Sequence, residues 1–189
     1  MSTDKRGRIR SFVMRPGRMT GAQRRALEQG LPRFGLEREA GVLDAATAFG
    51  REGPLVLEIG FGMGQSLVAM AAAAPQVNYL GVEVHRPGVG KLLHSMAELG
   101  VENIRVYCDD AVPVLEECIA DAALDGVQIF FPDPWHKKRH HKRRLIQPDF
   151  VGLLCRKLKP GGFLHLATDW ENYAEHMLEV LSAEPGLVN

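Results

Sequence analysis

The architecture of this chain follows from residues 55–64, which read Leu55-Val56-Leu57-Glu58-Ile59-Gly60-Phe61-Gly62-Met63-Gly64. A short apolar run bounded by glycines is typical of a strand that is buried in a parallel sheet. The glycines let the backbone turn tightly and approach a ligand closely. An Ala-rich segment over 65–74, which stops at Pro75, predicts a helix directly afterwards. The segment therefore predicts a strand, a glycine loop and a helix.

The same alternation continues along the chain. Apolar runs predict five strands, over residues 55–59, 79–84, 104–107, 127–131 and 163–167. Between and after them, helices are predicted over residues 65–74, 88–99, 112–121, 148–157 and 170–181. A short helix over 21–30, ended by Gly30, precedes the first strand. Apolar strands separated by helices indicate a Rossmann-like α/β fold with a doubly wound, mostly parallel sheet.

Length and charge indicate one domain with a localised anionic partner. The 189 residues, 46% of them hydrophobic, suit a single domain, which we place at residues 34–189 after a basic, flexible segment at residues 1–33. The formal net charge is zero, yet nine of the 23 Lys and Arg residues lie in 1–33 and six in 137–144. Two basic patches on a neutral chain favour binding to a polyanion.

Location and metal binding are constrained by what the sequence lacks. The three cysteines are widely spaced, which indicates reduced thiols in the cytoplasm. No apolar run approaches the roughly 20 residues of a membrane span, and no apolar stretch follows the basic N-terminus as in a secretory signal. The histidines of the second basic patch have no nearby Cys or acid ligands. We therefore expect a cytoplasmic protein that binds neither a membrane nor a metal.

Polar residues follow each predicted strand, and the carboxyl ends of parallel strands are where such sheets bind ligands. In chain order they are Gly60–Gly64, Glu83, Asp109 with Asp110, Asp133, and Thr168 with Asp169. We expect these positions to converge on one edge of the sheet.

The first three positions predict a cofactor site. Gly60, Gly62 and Gly64 form Gly-x-Gly-x-Gly rather than the dinucleotide fingerprint, and no Walker pattern is present. Glu83 could bind two ribose hydroxyls, and Asp110 could face an exocyclic amine. The alternative is structural, with Glu58 paired to an arginine and Glu83 a solvated strand end.

The loop after the fourth strand joins one carboxylate to a basic run, Phe131-Pro132-Asp133-Pro134-Trp135-His136-Lys137-Lys138-Arg139-His140-His141-Lys142-Arg143-Arg144. Its prolines would hold Asp133 and Trp135 in fixed directions. A carboxylate at this position can accept hydrogen bonds from the N–H groups of a guanine, while the indole can stack on a base or form a wall of the pocket. Arg139, Arg143 and Arg144 would neutralise phosphates. The alternatives are a core Trp135, a turn-forming Asp133 and a solvated basic face.

Five blocks together resemble the bacterial tRNA (guanine-N7-)-methyltransferases, class I enzymes that use S-adenosylmethionine. The blocks are residues 57–64, 81–85, 110–112, 131–144 and 167–174. The fourth block makes the resemblance specific, because methyltransferases in general do not share it. The family continues with further strands and a substrate segment, so we expect C-terminal strands of the sheet to be missing from this chain.

The resemblance implies a reaction and a set of site residues. The reaction is methyl transfer from S-adenosylmethionine to N7 of a guanosine in tRNA, in the variable loop. The implied cofactor-site residues are Glu58, Gly60, Gly62, Gly64, Glu83, Asp110 and Asp133. Asp133 would also be catalytic, while Lys137 and Asp169 would contact the substrate together with Trp135 and the arginines. Glu58 would attract the cationic cofactor, whereas it would repel the pyrophosphate of NAD.

Three other functions remain open on the sequence. One is a class I methyltransferase for another RNA base or a protein side chain. Another is a non-catalytic tRNA-binding module on a Rossmann core. The third is a dehydrogenase, which the missing dinucleotide fingerprint disfavours.

Overall fold

The computed structural model describes residues 10–12 and 17–188. The expectation of a flexible segment over residues 1–33 falls partly on positions outside these ranges. Seven α-helices occur in the described part of the chain: α1 (Gly21–Phe34), α2 (Ala45–Phe49), α3 (Gln65–Ala73), α4 (Arg86–Leu99), α5 (Ala111–Cys118), α6 (Pro148–Lys157) and α7 (Glu171–Ser182). Short 3-10 helices occur at Arg38–Ala40 and Lys138–Arg143.

Six strands form one sheet within the described residues: β1 (Gly35–Leu36), β2 (Leu55–Ile59), β3 (Asn78–Val82), β4 (Ile104–Tyr107), β5 (Leu124–Phe130) and β6 (Leu158–Ala167). Their order is β1-β4-β3-β2-β5-β6, and every pairing is parallel. From β2 the chain adds β3 and β4 on one side of that strand, and it then crosses back to add β5 and β6 on the other side. That reversal opens a crevice at the carboxyl ends of β2 and β5, where such sheets bind ligands.

Helices cover both faces of the sheet, which confirms the predicted doubly wound α/β fold. Alternate residues of β2 point to opposite faces, so Val56 packs with α1, α3 and α4 while Leu57 packs with α5, α6 and α7. All five residues of β2 are buried, as the apolar run predicts for a central strand.

The N-terminal part of the chain differs from expectation. The helix predicted over 21–30 continues to Phe34, because Gly30 lies against Leu93 of α4 and a Cβ there would meet that side chain at 3.1 Å. Leu27 is buried at the same contact. Residues 21–33 are thus packed on the domain, and the boundary expected between 33 and 34 falls inside α1. The two-residue strand β1 was not predicted, because two residues carry no periodicity.

Within residues 10–12 and 17–188, no helix has both the length and the apolar character that crossing a bilayer requires. In the same residues, no cluster of three or more His, Cys, Asp or Glu side chains has the arrangement of a metal site.

Candidate active site

The glycine loop between β2 and α3 is built from left-handed backbone. Gly60, Gly62 and Gly64 have φ values of 73°, 57° and 74°, which side chains with a Cβ rarely adopt. At Gly64 a Cβ would also lie 2.6 Å from the Leu92 side chain. The loop therefore needs glycine for its backbone and for the close approach of α4.

Glu83 at the end of β3 fixes the shape of this loop. Its two carboxylate oxygens accept hydrogen bonds from the backbone N–H groups of Gly62 and His85, each at 2.8 Å. The residue is 8% exposed, so it is not a solvated strand end. A carboxylate has about four lone-pair positions, which leaves acceptor capacity for ligand hydroxyls.

Glu58 is a buried acid whose Oε2 lacks a partner. The residue is 2% exposed, and within the described residues Oε2 has no hydrogen-bond donor and no Lys or Arg forms an ion pair with it. Burial raises the pKa of the carboxyl from its ordinary value of 4.5 to about 7. Gln128, its register partner on β5, has a buried Oε1 that is also unpaired. Two such acceptors fit a cationic or N–H-bearing ligand group.

A cavity of about 200 Å³ lies at the carboxyl edge of the sheet. It brings together four residues of the predicted cofactor site: Gly60, Glu83, Asp110 and Asp133. Asp110 caps α5 and accepts a hydrogen bond from the N–H of Val112 at 3.1 Å. Glu58, Gly62 and Gly64 do not line the cavity, although Ile59 next to Glu58 does. Buried Glu83 and the glycine loop fit a nucleoside cofactor, and buried Glu58, next to the lining residue Ile59, adds an acid that fits a cofactor with positive charge.

Asp133 sits in a strained turn at the rim of the cavity. Its Oδ1 accepts a hydrogen bond from the N–H of Trp135 at 3.0 Å, so the predicted turn is present and the side chain stays exposed. Phe131 and Trp135 on either side have φ values of 51° and 49°. Left-handed backbone costs roughly 1–2 kcal/mol at each non-glycine residue, and such strain is concentrated at functional sites.

Trp135 is engaged with the protein itself. Its indole Nε1–H donates to the carbonyl of Ser11 at 2.9 Å, and the guanidinium of Arg143 lies over its ring at 4.0 Å. Arg143 also donates through Nε to the carbonyl of Arg10 at 3.2 Å. Ser11 and Phe12 both line the cavity. The indole therefore anchors a wall of the site, which agrees with the second of its two expected roles, whereas its bonded N–H and covered ring leave less of it for stacking on a base.

Arg144 does not fit the expectation of a phosphate contact. It is 3% exposed, and its guanidinium donates to the carbonyl of Pro134 at 3.0 Å and to Oδ1 of Asn172 at 2.8 Å. The guanidinium also lies 4.7 Å from the centre of the Tyr173 ring. Burial lowers the pKa of Arg144. Arg144 therefore links Pro134, in the loop after β5, to Asn172 and Tyr173 of α7.

The remaining predicted substrate residues are exposed. Lys137 and Arg139 lie on the solvent side of the loop, and Asp169 follows β6 on the same edge of the sheet. Trp170, which sequence reasoning passed over, lies next to Asp169 and contacts the His136 ring. The only sequence signal for it was its place in the block 167–174.

Comparison with known proteins identifies the family to which this chain belongs. Residues 52–189 match the family described as "Putative methyltransferase". The tRNA (guanine-N(7)-)-methyltransferase of Alcanivorax borkumensis is 60% identical over 182 residues, covering 96% of this chain and 76% of that protein. The enzyme of that name from Idiomarina loihiensis is 62% identical over 181 residues, covering 96% and 74%. The chain belongs to the tRNA (guanine-N(7)-)-methyltransferase family. It spans about three-quarters of the length of these relatives.

Solved structures agree on the fold. The precorrin-6y C5,15-methyltransferase of Geobacter metallireducens has a TM-score of 0.56 at 15% identity, covering 69% of this chain and 62% of that one. A putative methyltransferase from Thermoplasma acidophilum has a TM-score of 0.52 at 23% identity, covering 75% and 58%. The expectation of a class I methyltransferase fold is therefore confirmed.

Proposed function

We propose that this protein transfers the methyl group of S-adenosylmethionine to N7 of a guanosine in the variable loop of tRNA, and that it does so in the cytoplasm. The observation that carries the proposal is the position of exposed Asp133. It lies between a cavity that contains buried Glu83 and a solvent-facing basic run. Membership of the tRNA (guanine-N(7)-)-methyltransferase family supports the same reaction.

The cofactor supplies an electrophilic methyl group on a sulfonium. Glu83 and the backbone of the glycine loop would hold its ribose, and Asp110 would face its adenine. Glu58 would sit near the methionyl end, where its carboxylate stabilises positive charge. Phe12, which is held in place through Trp135, would close one wall and exclude water.

Guanine N7 carries a free lone pair, so no base has to remove a proton from the attacking atom. The residues around the guanine therefore act chiefly by aligning N7 with the methyl carbon and the sulfur. Asp133 would accept hydrogen bonds from the guanine N–H groups and balance the positive charge that spreads over the purine. Lys137 and Asp169 would position the nucleotide, and Arg139 would neutralise backbone phosphate.

A pair of variants tests this role of Asp133. Asp133→Asn keeps the size of the side chain but removes its charge and replaces one acceptor oxygen with a donor, while Asp133→Ala removes both oxygens. We expect kcat/KM for tRNA to fall roughly 10- to 100-fold in the first and further in the second, because hydrogen bonds to charged groups contribute about 1.5–3 kcal/mol. Full turnover and unchanged tRNA affinity in Asp133→Asn would remove this role.

The identity of the product separates the proposal from its rivals. Mass spectrometry of nucleosides from treated tRNA is expected to show N7-methylguanosine. Another methylated base, or methylated protein, would indicate a different methyltransferase. A non-catalytic RNA-binding module would show no affinity for S-adenosylmethionine by calorimetry.

A further inference from the structure

Two aromatic rings form an exposed pair beside the candidate active site. The His136 and Trp170 rings have centroids 4.3 Å apart and planes inclined by 66°. Trp170 is 40% exposed, and His136 is also exposed. A large aromatic side chain that stays in water at the rim of a site is more informative than a buried one, because its apolar surface remains available to a ligand.

Hydrogen bonds hold the backbone on both sides of this ring pair. Trp170 caps α7, with its carbonyl accepting from the N–H groups of Tyr173 and Ala174 at 2.8 and 2.9 Å. Its own N–H donates to Oγ1 of Thr168 at 3.2 Å. His136 follows Trp135, which is fixed by its bond to Ser11. The ring contact therefore joins the loop after β5 to the loop after β6.

The two tryptophans of the chain differ in what they offer a ligand. The indole N–H of Trp135 is already bonded to a carbonyl, and Arg143 covers its ring. Within the described residues, no acceptor engages the indole N–H of Trp170. Trp170 therefore has exposed ring surface and an unused donor, and it lies next to the expected substrate residue Asp169.

A nucleobase is the ligand that matches this surface. An RNA base that is presented to an enzyme loses the stacking of its neighbours, and aromatic side chains commonly replace that contact. His136 leads directly into Lys137, Lys138 and Arg139, all exposed, which would hold the phosphates of the same strand. A protein partner would have no comparable need for this basic run beside a single aromatic pair.

We propose that His136 and Trp170 form a stacking platform for the guanine that Asp133 holds by its edge. The inference rests on the proposed function and deepens it, since it names the surface that receives the face of the target base. Trp170 then contributes to RNA binding and to alignment, and it has no part in holding S-adenosylmethionine.

Fluorine NMR of protein labelled with 5-fluorotryptophan tests the contact directly, because the chain has two tryptophans. The Trp170→Phe variant assigns the two resonances. Adding unmodified tRNA is expected to shift or broaden the Trp170 resonance more than that of Trp135. A Trp170 resonance that stays in place while tRNA is bound would overturn the proposal. This readout does not require methylation, so it remains decisive even if the proposed reaction fails.

Kinetics of matched variants test whether the ring itself matters. Trp170→Leu keeps apolar bulk without an aromatic face, whereas Trp170→Phe keeps the face. We expect kcat/KM for tRNA to fall roughly 5- to 100-fold in Trp170→Leu and by less than about 3-fold in Trp170→Phe, from the usual strength of base stacking. The Kd for S-adenosylmethionine should stay unchanged in both.

Leu178→Ala is the control, because Leu178 is an exposed apolar residue of the same helix. It should leave kcat/KM at the wild-type value. Equal losses in Trp170→Leu and Trp170→Phe would indicate a packing role and overturn the stacking proposal.

Discussion

The two halves of the candidate site bind charge in opposite ways. On the cofactor side the acids are buried, with Glu58 at 2% and Glu83 at 8% exposure. On the RNA side Asp133, Lys137 and Arg139 are exposed. A buried acid discriminates strongly among ligands because leaving it unpaired is costly, whereas exposed charges bind a polyanion adaptably and in a salt-dependent way. One sheet edge thus combines a pre-formed pocket with a hydrated electrostatic surface.

The largest effect on the free energy of unfolding is expected for Arg144, a basic residue on the RNA side that is buried. Arg144→Ala should lower the free energy of unfolding by about 3–4 kcal/mol, because it empties a buried site and leaves the carbonyl of Pro134 unpaired. Denaturant titration measures this. Arg144→Lys, which keeps the charge without the planar fork, should recover only part of the loss. Wild-type stability in Arg144→Ala would show that the guanidinium is dispensable for the loop.

On the cofactor side, Glu83→Ala should weaken binding of S-adenosylmethionine about 100-fold, close to 2.7 kcal/mol. The change removes the acceptor for Gly62 and His85 and so loosens the glycine loop. Calorimetry gives the Kd, and binding of tRNA serves as the internal control because it should change little. If the cofactor bound normally, Glu83 would have no role in the pocket.

Replacing Glu58 should change the stability of the protein and its affinity for S-adenosylmethionine in opposite directions. Its pKa is raised to about 7, so the folded protein is favoured while the carboxyl is protonated, and this contribution is lost as the pH rises from about 4.5 through 7. Glu58→Gln should therefore match wild type near pH 4.5 and exceed it at pH 8 by about 3 kcal/mol.

The same variant should bind S-adenosylmethionine more weakly, since it lacks the negative charge. Thermal unfolding at the two pH values, paired with calorimetry at pH 8, checks both signs. A variant that is less stable than wild type at pH 8 would show that the carboxylate has a partner in the folded protein.

The smallest effect belongs to the exposed charges. Arg139→Ala should weaken tRNA binding about 3-fold at moderate salt and reduce the slope of log K against log salt by about 1 unit, as expected for one lost phosphate contact. The unfolding free energy should stay within about 0.5 kcal/mol of wild type. An unchanged salt slope would place Arg139 outside the RNA contact.

The convergence of Gly60, Glu83, Asp110 and Asp133 on one cavity was predictable from sequence, because its signals are local. Glu83 directly follows β3 and Asp110 lies three residues after the end of β4, and topology brings strand ends together. The internal contacts of Trp135 and Arg144 were not predictable, because their partners are remote: Ser11 lies 124 residues from Trp135, and Asn172 lies 28 residues from Arg144. A basic residue in a basic run looks solvated until its buried acceptors are known. Similarly, the continuation of α1 beyond Gly30 depends on its contact with α4.

Replacing N7 of the target guanosine, the atom that would receive the methyl group, tests the central claim most directly. Two tRNA transcripts would be compared for uptake of labelled methyl from S-adenosylmethionine, one with guanosine and one with 7-deazaguanosine, which has carbon in place of N7. Methyl transfer to N7 predicts incorporation into the first transcript and none into the second, with both binding the protein equally. Equal incorporation into both transcripts, or none into either, would contradict it.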